Sequence, residues 1–315
     1  MSTVGEWWMW LLFLVIVTLI LGLDIFALGG RKAHRVSTRE ALFWSSVWVA
    51  TALLFNILLW WYLMQTSTTA IANKKALEFF TGYLVEKSLS TDNIFVFLMI
   101  FNYFAIPAKY QRRVLLYGVL GAIFMRLIII LMGIWLIHKF EWILYLFGAF
   151  LLITGLRMLI LSEKKPDLEQ NLILRWMRHH FRITDKLHKE RFFIRDKGLF
   201  YFTPLFLVLV SIEISDLIFA VDSIPAIFAI THDPFIVFTS NIFAILGLRA
   251  LYFLLANLVD RFQMLKYGIA VLLAFIGFKM LLAYWIEIPI LIILTIILTI
   301  IMVSIFLSLI NPKQR

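Results

Sequence analysis

Five carboxylates lie inside two long apolar stretches. Glu86 and Asp92 belong to Gly82-Tyr83-Leu84-Val85-Glu86-Lys87-Ser88-Leu89-Ser90-Thr91-Asp92-Asn93-Ile94-Phe95-Val96, and Glu213, Asp216 and Asp222 to Glu213-Ile214-Ser215-Asp216-Leu217-Ile218-Phe219-Ala220-Val221-Asp222-Ser223-Ile224-Pro225-Ala226. Asn93, Ser215, Ser223 and Asn241 add neutral oxygens, while the chain has no cysteine and its apolar interior no histidine. Such an oxygen set suits a hard divalent cation, Mn²⁺, Mg²⁺ or Ca²⁺, better than Zn²⁺ or Cu⁺. Met99 could add a soft sulfur but reads as packing. Fully ionised, the five acids exceed Lys87, Arg126 and Arg249 by two charges, the balance for one divalent ion. The competing interpretation is a structural lock, in which the acids merely pair with those three cations.

These acids matter because of where they sit. An ionised carboxylate at bilayer depth costs at least ~2.5–3.5 kcal/mol, so such groups face one another, a cavity or an ion pathway. The 315 residues are 63% hydrophobic and 15% charged, with mean hydropathy +0.94, which places the chain among polytopic membrane proteins. A helical span takes about 20 apolar residues. Nine are expected, at 7–28, 41–64, 78–104, 114–137, 141–161, 202–230, 235–257, 267–285 and 288–310. The first has no basic region ahead of it and no small-residue cleavage site before Arg31-Lys32, so it is expected to remain a span.

Charge placement sets the expected orientation. With the N-terminus outside, the inner connections hold 21 of the 29 basic residues and the outer ones only Lys74, Lys75 and Lys139. That asymmetry puts the C-terminus in the cytoplasm. It also explains the net charge of +10 without nucleic acid, for which no basic folded domain exists. The connection 162–200 places Leu172, Ile173, Trp176, Phe181 and Leu187 among Arg175, Arg178, Arg182 and Lys186, the pattern of a basic amphipathic helix on the anionic inner leaflet. His179, His180 and His188 in it have no recognised metal-ligand spacing. Trp7, Trp8, Trp10, Trp60, Trp61, Trp142 and Trp285 read as interfacial anchors, Arg157 and Lys279 as snorkelling cations, and Asp24 as a helix-end partner or part of a cytoplasmic vestibule.

Helical phase limits which acids can meet. At 100° per residue, Glu213 and Asp216 are about 60° apart, while Asp222 is about 180° from Glu213 and Asp92 about 120° from Glu86. Pro225 lacks the N–H that would bond the Val221 carbonyl, so a break near 221 is expected to turn Asp222 inward. Ser88, Ser90 and Thr91 mark a second expected weak point. Spans three to five also slide onto spans six to eight. At an offset of 127 Glu86, Ser88 and Pro107 meet Glu213, Ser215 and Pro234; at 123 Arg126 meets Arg249; at 122 Gly155, Arg157 and Met158 meet Gly277, Lys279 and Met280. Copies of three spans enter from opposite sides, which predicts a 3+3 inverted-topology repeat with its site at the repeat interface. The domains are then 1–76 (two helices), 77–161 (repeat 1), 162–200 (cytoplasmic loop), 201–286 (repeat 2) and 287–315 (last helix and tail).

The two acidic motifs, with Thr239-Ser240-Asn241 and Gly247-Leu248-Arg249, resemble the TerC family over about residues 4–310. The resemblance implies a bacterial inner-membrane protein of a family named for tellurium resistance, with members linked to alkaline pH and manganese export. It carries family transport residues onto Glu86, Asp92, Glu213, Asp216 and Asp222.

The expectation is therefore an all-α, nine-span secondary transporter that exports Mn²⁺, coupled to protons or membrane potential. Its metal site would be Glu86, Asp92, Asn93, Glu213, Asp216, Asp222 and Asn241, with Asp92, Asp216 and Asp222 on the ion and Arg126 with Arg249 stabilising the empty cluster. No permanent cofactor and no protein partner are identified, and lipid is the surrounding partner. No G-x-x-x-x-G-K-[ST], G-x-S-x-G or H-E-x-x-H occurs, so no enzyme activity is expected. The alternative is a non-transporting membrane partner for metal loading or quality control of envelope proteins.

Overall fold

The computed structural model describes residues 3–23, 36–140, 142–160, 190–196, 199–256, 264–283 and 288–310, with isolated positions between 176 and 188 and at 285–286. Asp24 and most of the expected amphipathic helix lie outside the described residues; Trp176 and His180 within it are helical.

Among the described residues, ten helices with given bounds and one hairpin follow in order. They are α1 (Trp7–Leu23), α2 (Thr38–Thr66), α3 (Thr69–Tyr103), α4 (Ala108–Lys139), α5 (Ile143–Ile160), β1 (Phe193–Asp196), β2 (Leu199–Phe202), α6 (Pro204–Phe228), α7 (Pro234–Leu246), α8 (Leu248–Ala256), α9 (Leu265–Leu282) and α10 (Ile290–Ile310). Local chemistry sets the starts: the Ser37 hydroxyl accepts from the Glu40 N–H at 3.2 Å ahead of α2, and the Asp233 carboxylate caps α7 through the Phe235 N–H at 3.1 Å. The α3 C-terminus closes with Ile106 N–H on the Phe101 carbonyl at 2.9 Å, which forces Ala105 to φ 49°.

Among the described residues, seven helical segments are long and apolar enough to cross a membrane: α2, α4, α5, α6, α7 and α8 taken together, α9 and α10. Of the nine expected spans, α1 is only 17 residues as described, and α3 carries too many charges to qualify on composition. α3 is instead the enclosed centre, packed by α2, α6 and α7. The outer faces are apolar, with Leu54, Ile57 and Trp61 of α2 and Leu291, Val303 and Phe306 of α10 exposed. α5 crosses α9 with backbones touching: a Cβ on Gly155 would lie 2.5 Å from the Ala274 nitrogen, and one on Gly277 2.4 Å from the Leu152 nitrogen. Small residues permit that approach in a bundle embedded in lipid.

Three expectations are corrected. α6 runs unbroken through Pro225, which sits in its last turn, where only one intrahelical bond is lost. α3 is also continuous, because the Ser88 and Thr91 hydroxyls bond back to the Leu84 and Lys87 carbonyls at 2.7 and 3.0 Å instead of opening the helix. The break falls at Gly247, between α7 and α8, inside what reads as one span. The fold is that of an all-α polytopic membrane protein, and the one addition among the described residues is a short hairpin at the end of the 162–200 connection, β1 pairing antiparallel with β2 from Phe193↔Phe202 to Asp196↔Leu199.

Candidate ion-binding site

Where α3, α4, α6 and α7 converge, a guanidinium is surrounded by oxygen. Arg126 of α4 donates through Nη1 to Glu86 Oε1, to Asn241 Oδ1 at 3.0 Å and to Ser223 Oγ at 3.2 Å. Its Nη2 and Nε reach the two oxygens of Asp216 at 3.4 and 3.5 Å. Asn241 Nδ2 returns a bond to Glu86 Oε2 at 3.0 Å, and Ser90 and Asn93 lie 3.5 Å from Glu86 and Asp216. Every member is buried, Arg126 and Glu86 at 1% exposure and Asp216 at 3%.

The local sequence explains the convergence. Glu86, Ser90 and Asn93 follow the i, i+4, i+7 stripe of one face of α3, and Asp216 and Ser223 are seven apart on α6, so two antiparallel stripes face each other. Two carboxylates sharing one cation are buried at a desolvation cost that only good hydrogen bonding offsets, and Asn241 and Ser223 supply it. Glu86 is held closely; Asp216 is held through long contacts.

Of the predicted site residues, Glu86, Asn93, Asp216 and Asn241 meet here, and Asp92, Asp222 and Glu213 do not. Asp92 and Asp222 are half-buried on other faces of their helices, as a 120° turn in an unbroken helix requires, and neither makes a hydrogen bond or salt bridge among the described residues. They remain within electrostatic range of each other, and Asp92 of Lys266. Glu213 lies against Gly121 of α4, where a Cβ would fall 2.1 Å from its Oε1, and its Oε2 is buried without a hydrogen-bond partner. Among the described residues, no three of His, Cys, Asp and Glu converge closely enough to hold a metal ion.

The cations also divide their work. Arg249 is buried and shares a small cavity with Asp216, beside Phe97, Leu115 and Leu248. Lys87, expected to balance the acids, instead donates from Nζ to the Ala244 carbonyl at 3.2 Å, at the C-terminal end of α7. The break at Gly247 leaves carbonyls there without intrahelical donors, and an ammonium is a favourable cap for them. Lys279 likewise donates to the Ala229 carbonyl at the end of α6 instead of snorkelling to the surface. Ser90 was missed as a site member, although its i+4 spacing from Glu86 was a usable signal.

The profile of the integral membrane protein TerC family matches residues 71–315. The "Putative membrane-bound redox modulator Alx" of Escherichia coli strain K12 is 57% identical over 290 residues, 92% of this chain and 90% of that protein. The protein of the same description from Photorhabdus laumondii is 56% identical, over 92% of this chain and 91% of its own. An uncharacterized membrane protein of Myxococcus xanthus, STKORF319, is 44% identical, covering 91% and 87%. No solved structure matches.

Proposed function

The chain belongs to the integral membrane protein TerC family, and from that premise we propose that it is a secondary transporter exporting divalent manganese from the cytoplasm through the Glu86–Asp216 site. The observation that carries this proposal is the fully buried Arg126 guanidinium held between carboxylates of two helices. Arg126 acts as a tethered cation that fills the site when no ion is bound. Two acids with one guanidinium carry net −1; exchange for Mn²⁺ brings the pair to neutrality, so the ion competes on charge as well as on ligand chemistry. Asp216, held at 3.4–3.5 Å, is the arm that releases first. Asp92 and Asp222, which make no hydrogen bond among the described residues, complete the coordination as the helices shift, and Glu213 carries the proton of a coupled cycle.

The nine-span, 3+3 inverted arrangement belongs to the same proposal. Its support is the pairing of helices: α3 packs on α7 as α6 packs on α4, while α3 meets α6 and α5 meets α9, as a two-fold axis in the membrane plane would require. The matched glycines Gly155 and Gly277 lie at that α5–α9 crossing. The same proposal puts the N-terminus outside and the C-terminus in the cytoplasm, supported by the placement of the basic residues, and takes the inner membrane from the family resemblance.

The second reading, a non-transporting partner of envelope proteins, is favoured by the salt bridges themselves, which would serve as a lock. The relatives' description as redox modulators adds to it, since a chain without cysteine would act on redox state only through another component. Electron paramagnetic resonance of purified protein titrated with Mn²⁺ separates the two. The transport reading expects a bound signal that Asp216→Asn removes; free Mn²⁺ only, from folded wild type, would contradict it.

A further inference from the structure

At the end of the bundle opposite β1–β2, a cavity of about 730 Å³ opens between the start of α3, the α6–α7 turn and the α9–α10 connection. Its lining carries Lys74, Lys75, Lys279 and His232 together with the apolar Ile286, Ile288 and Ile293. The two acids at its base are already engaged. Glu78 accepts from Lys75 Nζ at 2.9 Å and from the Thr231 hydroxyl at 2.6 Å. Asp233 accepts from the Thr3 hydroxyl at 2.9 Å, the Val4 and Phe235 N–H groups at 3.0 and 3.1 Å, and Lys75 at 3.2 Å. Lys75 thus neutralises the acids only in part, hydroxyl and backbone donors serve the rest, and three ammoniums against two carboxylates leave the cavity positive. Lys74 is exposed and makes no hydrogen bond or salt bridge among the described residues, and Lys279 spends one donor on the Ala229 carbonyl and keeps two. Burial and the neighbouring Lys279 hold His232 below its ordinary value, so at neutral pH the positive charge is the lysines'.

We infer that this cavity binds the phosphate-bearing headgroup of an anionic phospholipid. The lysines meet the phosphate, and Ile286 and Ile288, which lead into α10 with its exposed Leu291 and Ile292, receive the start of the acyl chains. Ammonium donors beside apolar side chains at a helix-bundle end fit a lipid headgroup, which uses both, better than free phosphate, which has no use for the isoleucines. The inference is independent of the transport reading, because none of these residues touches Arg126 or its partners.

Native mass spectrometry of the full chain from nanodiscs of equal phosphatidylglycerol and phosphatidylcholine tests it, with inorganic phosphate titrated in parallel. Wild type is expected to retain phosphatidylglycerol preferentially. Lys74→Glu, a reversal at a side chain without partners, should lower that retention at least tenfold. Lys139→Glu, at the end of α4 and outside the cavity, should leave it unchanged. Equal retention of both lipids, the same loss from both variants, or binding of free phosphate without the lipid would overturn the assignment.

Discussion

Glu86 and Glu213 lead the two acidic motifs, yet they end in opposite circumstances. Glu86 on α3 is enclosed by Arg126, Asn241 and Ser90, whereas Glu213 on α6 keeps a buried oxygen without any donor. One helix creates both situations: α4 extends a guanidinium from position 126 toward α3 and presents the bare backbone of Gly121 to α6. Position in an apolar helix therefore does not decide whether an acid is a fixed ligand or a movable charge. The neighbouring helix decides it.

The largest expected effect sets these two carboxylates against each other. Removing one partner of a buried ion pair costs about 3–5 kcal/mol, so Glu86→Gln should unfold at a much lower temperature in detergent. Glu213→Gln, which breaks no bond, should unfold within a degree or two of wild type. Equal losses would end the comparison. Gly121→Ala sharpens it: the new methyl must displace the Glu213 carboxylate, and overpacking of that kind costs about 1–3 kcal/mol. Adding Glu213→Ala should recover most of the loss, and a thermal-shift double-mutant cycle would measure the coupling.

α3 carries a second paired acid, Glu78, at the start of the span, and its partner Lys75 just outside gives the pairing a pH signature. Burial alone would lower the Lys75 ammonium, but Glu78 and Asp233 outweigh it and hold the group above its ordinary 10.5. Its contribution is therefore full below 10.5 and is lost as pH rises through the raised value. The stability difference between wild type and Lys75→Met should be flat from neutral pH to about 10, by unfolding at fixed ionic strength, and shrink above that. A difference that vanishes below pH 9 would contradict the pairing. The smallest effect lies at the other end of α3. Ala105 holds φ 49°, so Ala105→Gly should stabilise by up to about 1 kcal/mol through relief of left-handed strain, visible as a slightly higher unfolding midpoint.

Much of this arrangement was legible in the sequence, and the exceptions have physical causes. Apolar length and basic asymmetry mark a polytopic membrane chain, and helical phase already separates Asp92 from Glu86 and Asp222 from Glu213. What phase could not supply was the continuity of α3 and α6. A proline in the last turn and hydroxyls that bond their own helix look, in sequence, like breaks. Gly247 was the true interruption and looked like an ordinary small residue in a span. Lys87 does not balance Glu86, because adjacency in the chain places the two side chains about 100° apart on the helix and turns the ammonium to the Ala244 carbonyl. The outer cavity escaped notice because Glu78, His232 and Asp233 sit at span ends, where charge is ordinary, and only the fold brings them beside Lys75 and Lys279.

The most direct test is manganese flux through purified protein in liposomes, with a manganese-sensitive dye trapped inside and a pH gradient of either sign. The account predicts that wild type moves Mn²⁺ at a rate set by the gradient, that Asp216→Asn abolishes the flux, and that Glu213→Gln removes its dependence on the gradient while leaving the protein as stable as wild type. Folded wild type that moves no Mn²⁺ under either gradient, or Asp216→Asn that moves it at the wild-type rate, would contradict it.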